Sequence, residues 1–448
     1  TENLNNRFDT DISIKKASIS LTADVLISDI LVQDHHEDTL LFVQELKTSL
    51  NGLDRFLKRN YDFESIDLGG VKLFLTQYEG ESKSSLQYFI LKLKDTTNLE
   101  PKPFTFKSKI LQLKDTEMIS EDLNIKDSKF TFSDIALGLK DFNFNSNSLD
   151  VAIQNLRGFS SKYGEIIDFQ ANIRYSSDSL VSKGFSLKMD QNDISGSGLI
   201  AFNGGNLANL KPAYFQLELD EVLITPSTVG GLKPYFNETF LFDATLKLEG
   251  GIRDFRLTSS VNLGDQSFLK GSIRVSDAFE SEKVRVQSDD LTIKTSDEVM
   301  RTLLNKPYYK KLSKYTAQSG SLFLVTRFSG SLNNWELKSD LKSKFGLLSP
   351  SLSLNRSKES NLWEYSSDLV LENFEIGKFF KQKIALKTNA AAKLKGFIRD
   401  SKVYLVETKG LVNELQIGNI TLKNLVLNSK HKDKLVQIKL SANEDKKR

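Results

Sequence analysis

The 448-residue sequence predicts an all-β fold, an antiparallel sheet with a few short helices. Three observations lead there. Apolar residues recur at spacing two over most of the chain, the mark of strands with one buried and one wet face. No helical pattern exceeds roughly three turns, so the crossover helices of a parallel α/β sheet are missing. Phenylalanine is abundant at 30 while proline stands at 7, and Asn and Ser fall between the apolar residues, a mixture suited to pleated, half-buried surfaces.

Alternation begins at Ile12 and Ile14, continues at Val25 and Ile27 and at Val71, Leu73 and Leu75, and passes through Phe104 and Phe106. It is cleanest from Lys129 to Leu156. There Phe130 and Phe132, then Ile135, Leu137 and Leu139, then Phe142 and Phe144, then Leu149, Val151 and Ile153 read as four short strands. The connections Ser-Asp, Lys-Asp and Asn-Ser-Asn-Ser are polar residues that make local turns. Further strands follow at Phe169 to Tyr175 and at Phe215, Leu217 and Leu219. Short helices are expected at Gly52 to Asn60, Ser85 to Leu93, Ser227 to Phe236, Ser296 to Leu304 and Gly377 to Gln382. Of these, Ser296 with Asp297 and Glu298 caps an amphipathic turn whose Val299, Met300, Leu303 and Leu304 are expected to pack on the sheet as a partial lid.

Three segments align on one another: Gly250 to Leu257, Gly330 to Leu337 and Gly396 to Val403, each a glycine followed two residues later by Ile or Leu and then by an Arg/Asn–Asp/Asn pair. The pair suits a hairpin turn and the glycine a bulge or bend. The expected organisation is a 1–120 N-terminal β region with short helices, a 121–213 β-meander region, and a 214–448 region of three strand–helix–strand–turn–strand units, 214–280, 284–356 and 364–427, with a basic C-terminal end. Stacked units of this kind build elongated sheets. At about 13 residues per strand and turn, about 30 strands spaced ~4.8 Å apart would extend on the order of 150 Å.

Composition removes several functions. The 61 Lys+Arg and 58 Asp+Glu residues leave a net charge of +3, without the positive excess of a nucleic-acid binder. There is no cysteine, hence no disulfide, thiolate metal site or thiol nucleophile. No apolar run reaches the roughly 18 residues of a membrane helix. A start at Thr1-Glu2-Asn3 reads as a fragment of a longer chain.

The segments Asn6 to Ile14, Asp34-His-His-Glu-Asp-Thr-Leu40, Ile66 to Leu75 and Asn373 to Phe380 resemble, in their order, the TamB-type translocation and assembly proteins of Bacteroidetes, within the AsmA-like superfamily. The resemblance covers most of the chain. It implies a β-sheet curved into a U-shaped hydrophobic groove in the periplasm of a Gram-negative bacterium, an inner-membrane anchor before these residues, and an Omp85-type outer-membrane barrel as partner through a segment outside them.

No catalytic constellation emerges. Gly196-Ser-Gly198 lacks the glycine spacing of a nucleophile elbow and reads as a crowded strand, and Asp289-Asp290 reads as a solvated pair. His35-His36-Glu37-Asp38 reads as a polar turn: adjacent histidines on an extended segment face opposite ways, and Leu40 stands where a zincin needs its second histidine. His431 lies in a basic stretch without a visible partner.

The Phe-rich faces fit either an ordinary sandwich core or an open groove, and periodicity alone does not separate them. The long repeat and the resemblance favour the groove, lined by Val71, Leu73, Leu75, Phe130, Phe132, Leu137, Phe142, Phe144, Val151, Phe215, Leu217 and Leu219. The expected function is non-enzymatic and cofactor-free: a bridge-like conduit for phospholipid between the inner and outer membranes. The alternative is an envelope scaffold or chaperone that receives strands of outer-membrane proteins by β-addition. A surface adhesin would need exposed ligand-binding loops, which the sequence does not display.

Overall fold

The computed structural model describes the chain apart from residues 1, 3–4, 6–8, 21–23, 51–60, 93–104, 146–147, 206–209, 229–230, 281, 358–361, 382–385, 400–401, 433–434 and 443–448. The elements are β1 (Asp11–Ile19), β2 (Asp24–Gln33), β3 (Thr39–Leu50), β4 (Tyr61–Gln77), α1 (Ser85–Lys92), β5 (Thr105–Asp122), β6 (Phe130–Asn145), β7 (Ser148–Ser160), β8 (Gly164–Tyr175), β9 (Ser179–Met189), β10 (Asn192–Ala201) and β11 (Tyr214–Ile224). They continue with β12 (Phe242–Gly251), β13 (Phe255–Gly264), β14 (Ser267–Ser276), β15 (Arg285–Ser288), β16 (Leu291–Thr295), α2 (Asp297–Leu303), α3 (Lys306–Thr316), β17 (Leu322–Gly330), β18 (Asn334–Ser343) and β19 (Gly346–Arg356). The last are β20 (Trp363–Phe374), α4 (Ile376–Phe379), β21 (Leu386–Arg399), β22 (Lys402–Ile417), β23 (Ile420–Lys432) and β24 (Leu435–Ala442). The fold is all-β with a few short helices. Two compact units, Thr1–Tyr214 and Phe215–Arg448, divide it.

In the first unit each strand from β1 to β10 pairs with the next, antiparallel everywhere but once. The exception is β4 with β5, a parallel pair running from Tyr61↔Phe106 to Gln77↔Asp122. A parallel neighbour requires the chain to return to its starting end, and α1 lies in that return. The expectation of a wholly antiparallel sheet without a crossover is corrected here. In the second unit the strands from β12 to β24 again follow one another antiparallel, with β15 and β16 sharing one lane between β14 and β17.

The stretch read as four short strands is two long ones. Ser133-Asp134 and Lys140-Asp141, expected to be turns, lie inside β6, with Asp134 at φ 53° and Asp141 at φ 51° and the pairing register shifting nearby. Each aspartate is the extra residue of a β-bulge; its short polar side chain makes a left-handed backbone tolerable. Fewer turns mean longer strands, and the count falls below the about 30 projected from typical strand length. Position 120/121, drawn as a domain boundary, lies inside β5.

The expected helices fare unevenly. Ser85 opens α1, and Ser296 caps α2 by accepting from the Val299 backbone N–H. The segment read as a helix from Gly377 is the single turn α4, and the described residues of Ser227 to Phe236 form turns, with closures such as Tyr235 N to Leu232 O. Gly52 to Asn60 lies outside the described residues. The additional helix α3 starts at an Asn305 cap with Pro307 in its first turn, a legible signal that lysine-rich composition obscured.

The repeated glycines have a packing reason. Gly250 pairs with Phe255 and Gly330 with Trp335, next to the hairpin ends, while Gly396 pairs with Leu405, the neighbour of Tyr404, beside a bulge. A Cβ on Gly330 would fall inside the Trp335 ring, and one on Gly396 would strike the Tyr404 carbonyl oxygen and the Tyr365 ring. The turn closures Gly251 N to Asp254 O and Ser331 N to Asn334 O confirm the hairpins; of these residues only Gly250, at φ 135°, leaves the ordinary range. Gly330→Ala is expected to cost about 2 kcal/mol by overpacking against Trp335. Gly69→Ala, whose new Cβ meets nothing within 4 Å, is expected to stay within about 0.5 kcal/mol of the parent in the same urea-unfolding measurement.

Candidate functional site

Directly opposed residues share a sheet face, so the registers trace that face strand by strand. In β6 it carries Phe132, Ile135, Leu137, Leu139, Phe142 and Phe144, opposite Met118, Thr116, Leu113, Leu111, Ser108 and Phe106 of β5. The parity changes from even to odd at Asp134 and back at Asp141. Without those bulges half of these side chains would point the other way. The same face continues through Leu73, Val71, Leu68, Ile66 and Phe63 of β4 to Leu41, Val43 and Leu46 of β3, then Val32, Ile30 and Ile27 of β2. On the other side it reaches Leu149, Val151 and Ile153 of β7.

The bulges are themselves in register. Asp29 (φ 56°) in β2, Gly70 (φ 62°) in β4, Asp115 (φ 49°) in β5 and Asp134 in β6 fall in one transverse row, with Gln44 of β3 between Asp29 and Gly70. Gln44 packs where a Gly70 Cβ would be. Aligned bulges bend adjacent strands at one line. The row of side chains beside that line, Val43, Val71, Thr116 and Ile135, is buried, at 4 to 7% exposure.

All nine expected groove residues of the first unit, Val71, Leu73, Leu75, Phe130, Phe132, Leu137, Phe142, Phe144 and Val151, occupy this apolar face. Along the rest of the face exposure varies: Val32, Phe63, Ile66 and Ser108 are buried, Phe132, Leu137, Phe142 and Val151 are intermediate, and Phe144 and Ile14 are 38% and 37% exposed. Phe215, Leu217 and Leu219 alternate along β11 and are half-buried, and no described ladder joins them to that face. Sequence reasoning missed Phe63, Ile66, Leu68, Phe106, Leu111 and Leu113, whose parity changes within β4 and β5 hide a common face.

The second unit repeats the pattern. Phe328, Leu337, Leu352, Ser367, Leu394 and Thr408 face one another across six strands, with Trp335, Leu341 and Leu371 in flanking rows. Their strands alternate half-buried with exposed residues, as in β18 and β20. At one end α2 seats Val299 and Leu303 on Leu263 and Val261, with Phe236, Phe240 and Phe242 around them, so this helix covers the apolar face of β12 and β13 locally. The opposite, polar face carries the ion pairs. Asp289 holds Arg256 at 2.6 Å and Asp290 is bidentate to Arg327, which holds its carboxyl below the ordinary range by hydrogen bonding. The acid pair read as solvated is thus matched to two arginines. Gly196 and Gly198 flank a register shift opposite Phe185 and Ser182, where the extra residue of the bulge lies in β9.

The polar turn reading of residues 34 to 38 holds in outline and fails in detail. Asp34 Oδ1 accepts from the backbone N–H groups of His36 (2.8 Å) and Asp38 (3.1 Å), closing a turn between β2 and β3 with Glu37 at φ 65°. In a turn adjacent side chains need not oppose each other. His35 Nε2 and His36 Nε2 both reach Glu81, each at 3.0 Å. The His36 hydrogen bond lowers the Glu81 pKa, against an opposing push from burial. Tyr78 donates to Asp34 (2.7 Å) and Asp38 (2.8 Å), and burial, then these two carboxylates, raise its phenol pKa. Nothing in the sequence links position 81 to positions 35 and 36; only the parallel crossover brings them together.

The varying exposure of the face makes a graded prediction. Val71→Glu, at a site 5% exposed, is expected to cost about 3 kcal/mol or more because its carboxylate is stranded. Phe144→Glu, whose carboxylate reaches water, is expected to cost less than half as much in the same urea titration.

No protein-family model, curated protein or solved structure matches this chain.

Proposed function

We propose that the apolar face is a surface for mobile acyl chains, and that the protein is a non-enzymatic conduit for phospholipid in the periplasm of a Gram-negative envelope. The observation that carries this reading is a largely apolar face running through β2 to β7, many of whose side chains stay partly exposed. A face meant only for a protein core would be closed by a second layer. Under α2 the buried cluster of Leu263, Val299 and Leu303 shows what such closure looks like in this chain.

The energetics suit transfer. Each methylene of an acyl chain exposed to water costs about 0.8 kcal/mol, so a continuous apolar strip lowers the barrier to movement while the headgroup stays wet. Many shallow, similar contacts favour passage over retention. An inner-membrane anchor and an Omp85-type partner at the outer membrane, both outside these residues, would complete the route, as the TamB-type resemblance implies.

Phe132→Glu with Phe144→Glu places two charges on the strip, and Thr131→Glu places one on the opposite face. The double variant is expected to fold, to lose photocrosslinking to phospholipid and to compromise outer-membrane integrity, while Thr131→Glu behaves as the parent. Unchanged lipid crosslinking in a folded double variant would overturn the conduit. Loss of crosslinks to nascent outer-membrane protein instead would favour the scaffold.

A further inference from the structure

His35, His36 and Glu81 present three potential ligand atoms within 4.8 Å of one another, and we propose that they form a site for a divalent first-row transition metal of the Zn2+ class. The donor set argues for the class. Two imidazoles and one carboxylate suit Zn2+ and its neighbours, whereas Mg2+ and Ca2+ prefer oxygen donors.

Geometry supports the same assignment. Ligand atoms at about 2.0 Å from a tetrahedral metal stand about 3.3 Å apart. His35 Nε2 lies 3.0 and 3.1 Å from the two Glu81 oxygens, and His36 Nε2 lies 3.0 Å from one of them. A small outward movement of the carboxylate opens the cluster to a metal. Three protein ligands leave a fourth position for water on the more open side, where the His36 side chain is 44% exposed.

The rings are already held. His36 packs on Tyr78 with centroids 3.9 Å apart, and His35 packs on Tyr88 at 4.3 Å and on His36 at 4.5 Å. His35 Nδ1 is buried without a hydrogen bond, so Nε2 is the nitrogen turned to the carboxylate. Asp34 and Asp38 are engaged by Tyr78 and by the turn backbone and stand behind the ligands. A bound metal would fasten the β2–β3 turn to the segment between β4 and α1, next to the parallel crossover.

The chain has three histidines and no cysteine, which makes the test clean. Untagged, chelator-stripped full chain is titrated with ZnCl2 by calorimetry. The expected result is one saturable site per chain, unaffected by millimolar Mg2+ or by His431→Ala. The site is expected to weaken at least about 10-fold in Glu81→Gln and about 100-fold in His35→Ala/His36→Ala, at or beyond the scale of losing supporting groups around a metal. Unchanged circular dichroism shows that the variants fold. If the double variant does not fold, Glu81→Gln and X-ray absorption of the Zn2+-loaded parent decide, with imidazole scattering expected. No saturable binding, an all-oxygen shell, or undiminished affinity in a folded variant would overturn the site.

Discussion

A side chain's face in a β-strand is set by counting, and one inserted residue reverses every side chain after it. Strands of 16 to 18 residues, as in β5 and β6, must also bend to follow a twisting sheet, and bending introduces such residues. The chain resolves the conflict by shifting its apolar pattern by one wherever it inserts a bulge. Asp115, Asp134 and Asp141 mark shifts in β5 and β6 and Gly70 marks one in β4, while β4 and β5 shift again between Phe63 and Ile66 and between Ser108 and Leu111. The continuity of the apolar face, the burial of Val43, Val71, Thr116 and Ile135, and the reach of the face into β7 all depend on this compensation.

The period-two pattern was legible because it is local, and with it the all-β class and the shared face of Phe130 to Phe144. The role of the aspartates was not. Ser-Asp and Lys-Asp between apolar pairs are compatible with a turn or with a bulge, and only the neighbouring strand decides, because a bulge needs a partner that continues through it. The parallel β4–β5 pair was hidden for a similar reason: its register is a relation between segments about 45 residues apart. The glycines of the repeat were visible as a pattern, but their cause, an aromatic side chain or carbonyl across the hairpin, appears only when the strands are laid together.

The candidate sites divide along the same line. A greasy strip is written into sequence as periodicity. The meeting of His35 and His36 with Glu81 is not, since it arises from a turn that places neighbours side by side and a crossover that delivers a distant acid. The two features lie on different parts of the first unit's chemistry, one apolar and shallow, one polar and preorganised by ring packing. Neither requires a catalytic residue.

The central claim is that the bulge-compensated face receives acyl chains while the opposite face does not. Since the chain has no cysteine, single spin labels can be placed through Phe142→Cys and Val151→Cys on the apolar face and through Asn143→Cys and Ala152→Cys on the other. The direct measurement is dipolar broadening by a phospholipid carrying a nitroxide along its acyl chain. Broadening at the first two positions and none at the second two is the result expected; equal broadening on both faces, or none on either in folded protein, would contradict the account.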